Sequence, residues 1–124
     1  MKREIKFRAW VLSKQKMVNV YGFNRDIVYG ESPDSPEFGN NIFERSDVVL
    51  LQYTGCKDVE NKRIHEGDIV YSSVLHPSIC RVIFKKGKFC LADIKSKKGA
   101  TISMYSVREF KRIGNIYENP ELLK

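Results

Sequence analysis

The sequence predicts an all-β protein, and three observations carry that prediction. Short runs alternate apolar and polar residues at period two. Clusters of Gly, Asn, Asp and Lys break those runs every few positions. Almost no stretch keeps a helical spacing of apolar residues. The expected architecture is a small SH3-like barrel over residues 48–124, with an added β-hairpin over residues 1–21 that joins the barrel or forms a small second layer. Residues 22–47 are expected as an irregular loop or arm, and one or two short helical turns near the end. At 124 residues the chain is expected as one domain, long enough to bury a core without crosslinks.

From Glu4 to Trp10 the alternation sets Ile5, Phe7 and Ala9 on one face and Lys6, Arg8 and Trp10 on the other, a half-buried strand. Ser13-Lys14-Gln15-Lys16 is a polar turn, and Met17 to Tyr21 is the returning strand. Trp10 is expected to be buried, the usual fate of a lone tryptophan. Between Gly22 and Asp47 the chain is punctuated by Gly22, Gly30, Pro33, Pro36 and Gly39, with one short strand suggested at Asp26–Tyr29.

The stretch from Leu51 to Tyr71 organises the rest. Val48-Val49-Leu50-Leu51 is apolar and partly β-branched, and Gln52, Tyr53 and Thr54 extend it as a strand. Gly55 takes positive φ without a Cβ penalty and is the expected point of reversal. Asp58 suits an Asx-type turn, and Asn61 tolerates the left-handed conformation. Ile64 returns to the core, and Glu66-Gly67-Asp68 is a sharp bend into Ile69-Val70-Tyr71. Turn chemistry therefore accounts for Asp58, Glu66 and Asp68 before any acid–base role does.

Downstream lies an antiparallel meander. Ile79–Phe84, Phe89–Ile94 and Ala100–Tyr105 read as strands, after a turn at His76-Pro77. Lys85-Lys86-Gly87-Lys88 and Lys95-Ser96-Lys97-Lys98-Gly99 are its basic loops. Ser106-Val107-Arg108-Glu109 has the spacing of a capping box. A last strand runs around Gly114. Asn119-Pro120 starts a short helix, with Asn119 as its cap.

The motif Q-Y-T-G-x-K-D (Gln52–Asp58) followed by I-x-E-G-D-I-V (Ile64–Val70) resembles the hallmark of the YopX-like family of phage and prophage proteins. The opening Arg3–Trp10 and the closing Ile113–Leu123 are similar to that family's two termini. Three positions depart from its pattern: Val11 stands where Asp is usual, Cys56 where Leu is usual, and Glu60-Asn61 where Asn-Gly is usual. The resemblance implies a small β-rich protein of bacterial viruses and the bacteria that carry them. It implies no catalytic residues, and it marks Tyr53, Gly55, Asp58, Glu66, Gly67 and Asp68 as structural.

Charge is uneven along the chain. Residues 1–25 carry seven bases against one acid, residues 26–68 four against ten, and residues 80–112 ten against two. A basic surface points to a polyanion such as nucleic acid. Opposed charge blocks in neighbouring copies favour self-association instead. No apolar run approaches the ~20 residues of a membrane helix, so a cytoplasmic protein without a membrane partner is expected. The three cysteines, Cys56, Cys80 and Cys90, lack a framework spacing and are expected as reduced thiols.

Enzymatic chemistry finds little to work with. The zinc candidates Cys56, His65, His76, Cys80 and Cys90 offer only His76-x3-Cys80 as a close pair. Glu66, Asp68 and Asp93 are the carboxylates that a magnesium-dependent nuclease would need to gather. The sequence has no nucleophile elbow, phosphate loop or H-x-E pair, and no cofactor or catalytic residue is expected. Binding is the better-supported class. Lys85, Lys86, Lys88, Lys95, Lys97 and Lys98 are the candidate nucleic-acid contacts, with Tyr71, Phe89 and Tyr105 as stacking partners. The alternative is an assembly module that pairs through an exposed sheet edge, as a homo-oligomer or with a phage or host protein.

Overall fold

In the computed structural model, residues 5–31, 42–72, 78–95, 101–103 and 109–124 are described. The chain falls into two compact units, Met1–Tyr53 and Thr54–Lys124. Strands dominate both, and the helical content of the described residues is two short 3-10 turns.

In the first unit β1 (Phe7–Val11) is buried on both faces from Arg8 to Val11, not half-buried as its alternation predicts, because it lies between two neighbouring strands inside the sheet. Ala9 lies opposite Val18 of β2 (Lys16–Phe23) on one side and opposite Leu50 of β5 (Val48–Lys57) on the other. β3 (Ile27–Glu31) pairs with β2, and β4 (Ile42–Glu44) with β3, so the order is β4-β3-β2-β1-β5 with every pair antiparallel. Ala9, Val11, Val18, Val28, Phe43 and Val48 form the buried cluster. Each large member contributes about 1.5–3 kcal/mol by leaving water. Trp10 is buried, at 5% exposure. Arg45–Asp47 makes a 3-10 turn into β5.

The second unit begins in the last residues of β5, a strand that also hydrogen-bonds to β6 (Arg63–His65). Its five-stranded sheet has the order β10-β9-β8-β7-β11. The strands are β7 (Asp68–Ser72), β8 (Ser78–Lys85), β9 (Lys88–Asp93), β10 (Thr101–Ser103) and β11 (Lys111–Asn115). Ile64, Val70, Cys80, Val82, Phe89, Leu91 and Phe110 pack into one apolar cluster.

Four expectations need correction. The sheets are open, not a closed barrel: among the described residues β10 pairs with β9 and β11 with β7, and the two do not pair with each other. Closure requires the first and last strands to meet. The amino-terminal hairpin is not an appendage. It is the centre of a sheet, because β1 uses its second edge to bind β5, the strand expected to open the barrel. β3 falls on the short strand suggested at Asp26–Tyr29, but residues 42–44, read as part of the irregular loop, form β4. Gly55 has φ +89° but lies inside β5, and the chain reverses only after Lys57.

The carboxyl terminus also differs in detail. Pro120–Leu123 is a 3-10 turn, and the Asn119 side chain does not cap it. Its Oδ1 instead accepts the Asn115 N–H at 3.1 Å. The expected capping box at 106–109 and the turn at His76-Pro77 fall outside the described residues, wholly or in large part.

Candidate functional site

Two places concentrate the residues singled out by the sequence, and both lie in the second unit. The first is a network of turns. Asp58 Oδ1 accepts the N–H groups of Glu60 (2.9 Å) and Lys62 (2.8 Å), and Oδ2 accepts the Arg112 N–H at 2.9 Å. Asn61 closes the turn at φ 66°, donating its N–H to the Asp58 carbonyl at 2.9 Å. Val59 N–H reaches the Phe110 carbonyl at 3.1 Å, so the loop is tied to the start of β11 twice. Burial pushes the Asp58 carboxyl up. The three N–H donors and the nearby Lys62 charge outweigh that, and the group titrates below its ordinary value.

The Glu66-Gly67-Asp68 bend has the same character. Gly67, at φ 86°, donates its N–H to the Val82 carbonyl (2.8 Å) and accepts the Ile116 N–H (2.9 Å). Asp68 is fully buried and its Oδ2 accepts the His65 N–H at 2.8 Å. Glu66 is half-buried beside them. Thr54 joins β5 to β6, donating from Oγ1 to the Ile64 carbonyl at 2.8 Å and accepting the Cys56 N–H at 3.1 Å. In the first unit, buried Tyr53 donates its N–H to the Lys6 carbonyl at 2.8 Å. Asn115 Oδ1 gathers the N–H groups of Tyr117 and Glu118, and its Nδ2 donates to Glu118 Oε1 at 2.7 Å.

These carboxylates do not converge. Asp68 serves its own bend, and Asp93 Oδ1 accepts the Lys95 N–H at 2.9 Å in a separate turn. Among the described residues no three His, Cys, Asp or Glu side chains come together as a metal group. Cys80 and Cys90 are buried on opposite faces of the β8–β9 hairpin, because Cys80 faces Asp93 across the pair while Cys90 faces Ile83. Cys56 and His65 are half-buried, and His76 lies outside the described residues.

The second place is the β8–β9 tip. Lys86 (φ 52°) and Gly87 (φ 80°) are the two central residues of the turn, both with the positive φ of a type I′ hairpin. Lys85 pairs with Lys88 across it. All three lysines are exposed, and among the described residues none makes an ion pair. One pair further in, Phe84 faces Phe89. Phe89 is 8% exposed and belongs to the core, so it is not free to stack as expected. Of the two rings Phe84 is the one left in water, at 53% exposure, and the expected stacking residue Tyr71 is exposed on β7, away from the tip. The position of Phe84 on the core-facing side of β8 hid it, since alternation alone assigns it to the interior with Val82. The hairpin extends past the edge of the core, and only that geometry exposes the ring. Lys95 is exposed at the opposite end of β9, away from this tip. Lys97, Lys98 and Tyr105 lie outside the described residues.

The first unit has an open groove of about 470 Å³ beside β4. Asp47 ties its wall together, accepting the Ser13 N–H at 3.1 Å and the Ser13 hydroxyl. Lys14 Nζ sits 5.6 Å from the Phe43 ring centre. Asp47 is thus committed to the β1–β2 turn.

The turn network spans the motif that runs from Gln52 to Val70 and on to the carboxyl terminus. The chain matches the family model described as YopX protein over residues 6–124. The chain belongs to the YopX family. Two solved structures share the fold of this YopX chain. Protein EF1440 from Enterococcus faecalis matches with a TM-score of 0.67 at 24% identity, covering 99% of this chain and 100% of that one. Protein yopX from Bacillus subtilis matches with a TM-score of 0.59 at 18% identity, covering 96% and 98%. No curated protein matches. Neither the YopX description nor those of the two structures names an enzymatic activity. No helix among the described residues is long and apolar enough to cross a membrane.

Proposed function

We propose that the chain is a non-catalytic binding module that holds nucleic acid through the tip of the β8–β9 hairpin. One observation carries this reading: Lys85, Lys86 and Lys88 surround a single turn without an ion-pair partner among the described residues, next to a half-exposed phenyl ring. Three ammonium groups around one turn make a local cationic focus, and cations that neutralise nucleic-acid phosphates release the counterions condensed on them. The motif carboxylates support a binding role by exclusion, since Asp58 and Asp68 are bound to backbone N–H groups. The expected setting is the cytoplasm of a bacterium carrying a phage or prophage.

The test is fluorescence anisotropy with a labelled mixed-sequence DNA strand. The unaltered chain binds at about 50 mM salt and loses most of its affinity by about 200 mM. Changing Lys85, Lys86 and Lys88 together to Gln weakens binding at the lower salt. Equal binding by both proteins contradicts the reading.

A second reading, self-association, has its own observation. Tyr29 and Ile42 face each other across β3 and β4 at the edge of the first unit's sheet, 42% and 62% exposed. An edge strand presents unpaired N–H and C=O groups that a second copy can pair with, and exposed apolar side chains beside them add to such a contact. Light scattering over a concentration series, with Ile42→Lys as the variant, separates this from the hairpin reading. A dimer that the change abolishes supports it, and a monomer at every concentration excludes it.

A further inference from the structure

We propose that the β8–β9 tip selects single strands, with an unpaired base stacking on Phe84 while Lys85, Lys86 and Lys88 hold the phosphates beside it. This rests on the nucleic-acid reading above and names the class of ligand. Phe84 and Phe89 lie 5.1 Å apart, with their ring planes at 63°. The edge-to-face contact anchors the Phe84 ring on a neighbour that is itself held in the core with Val82 and Leu91. About half of the Phe84 surface stays in water. The ring is therefore both held and open, the condition for a stacking platform.

The register places the charges around it. Phe84–Phe89 and Lys85–Lys88 are consecutive cross-strand pairs, so they project from opposite faces of the hairpin, with Lys86 in the turn between them. A strand that rounds the tip can set a base on the Phe84 face and its phosphates along the lysines. In a duplex every base is already stacked between its neighbours, so the ring gains a partner only where a base is free. Salt-dependent phosphate contacts are common to both forms. The ring makes the difference between them.

The experiment compares a mixed-sequence single strand with the duplex of the same sequence, by anisotropy at one salt concentration. Four proteins are used: unaltered, Phe84→Leu, Phe84→Tyr, and the triple Lys→Gln variant. Near-ultraviolet circular dichroism checks the fold of each. The unaltered chain is expected to prefer the single strand. Phe84→Leu keeps apolar packing against Phe89 and loses the π face, so it should lower single-strand affinity about tenfold and leave duplex affinity unchanged. Phe84→Tyr should keep the preference.

Equal losses on both forms, no loss on either, or a preference for the duplex would overturn single-strand selection while the nucleic-acid reading stands. Unchanged binding by the triple lysine variant, or no binding by the unaltered chain, would overturn that reading and this one with it. A dimer dissolved by Phe84→Leu, with strand affinity intact, would reassign the ring to contact between copies.

Discussion

Asp58 Oδ2 accepts the backbone N–H of Arg112 at 2.9 Å, across fifty-four positions of sequence. The same carboxylate closes its own turn through Glu60 and Lys62. One side chain thus shapes the bend after β5 and fixes where β11 begins. The Lys111–Glu60 ion pair, 3.2 Å long between half-exposed groups, adds little beside it.

Removing that carboxylate leaves three backbone donors without their acceptor. Asp58→Ala is expected to destabilise the chain by about 1–3 kcal/mol, since the three donors are only part-buried and water replaces the lost acceptor in part. Urea denaturation followed by tryptophan fluorescence measures this. A loss under about 0.5 kcal/mol contradicts the assigned role.

The acid limb of stability follows from the same group. Its folded-state titration lies below the ordinary carboxylate value, so the ionised form is the one folding favours. That contribution is complete above the unfolded value of about 4 and is lost as pH falls toward the lower folded value. Asp58→Asn should flatten this part of the profile, leaving a difference between the two proteins that shrinks below about pH 4. A difference that stays constant through that range contradicts the assignment.

What could be read in advance was local. Asn61 in the left-handed region, the bend at Gly67, the Lys86-Gly87 turn and the β1–β2 hairpin all follow from residues a few positions apart. The pairing of β1 with β5 joins Ala9 to Leu50, and nothing in either segment's alternation says which distant edge it will meet. For that reason the residues around Val48 suggest the opening strand of a barrel, while in the structure that strand pairs with β1. β4 is three residues long, too short for periodicity to register. Phe84 was hidden for a related reason: alternation predicts a face, but not where the core ends.

Two glycines of the first unit separate steric need from tolerance. A Cβ at Gly30 would lie 2.8 Å from the Asn19 carbonyl oxygen and 3.0 Å from Val18 Cγ2, while one at Gly22 meets nothing within 4 Å. Gly30→Ala is expected to cost about 1–3 kcal/mol. Gly22→Ala should stay within about 0.5 kcal/mol of the unaltered chain. Thermal melts of the two variants decide it, and equal shifts would contradict the packing described.

The two phenyl rings of the hairpin should part company in stability. Phe89→Ala removes a core side chain and is expected to cost about 3–5 kcal/mol. Phe84→Ala, at a half-exposed site, should cost about 1 kcal/mol or less. Comparable losses by urea denaturation would place Phe84 in the core and remove it from the binding surface.

Cysteine labelling probes burial directly. Cys80 and Cys90 are buried, and Cys56 is half-buried. Burial pushes the Cys56 thiol up, and a hydrogen bond with Thr54 offsets only part of that. With a thiol-reactive dye at pH 8, Cys56 should react first, yet more slowly than in urea, where all three react together. Fast reaction of all three in the native protein contradicts this.

In the proposed reading the bends shape the sheet and the lysine-tipped hairpin is the working surface. Its most direct test is the salt dependence of single-strand binding. Each phosphate neutralised contributes about 0.7 to the slope of log affinity against log salt. Replacing Lys85, Lys86 and Lys88 with Gln should therefore reduce that slope by about 2. An unchanged slope would show that the strand is held elsewhere.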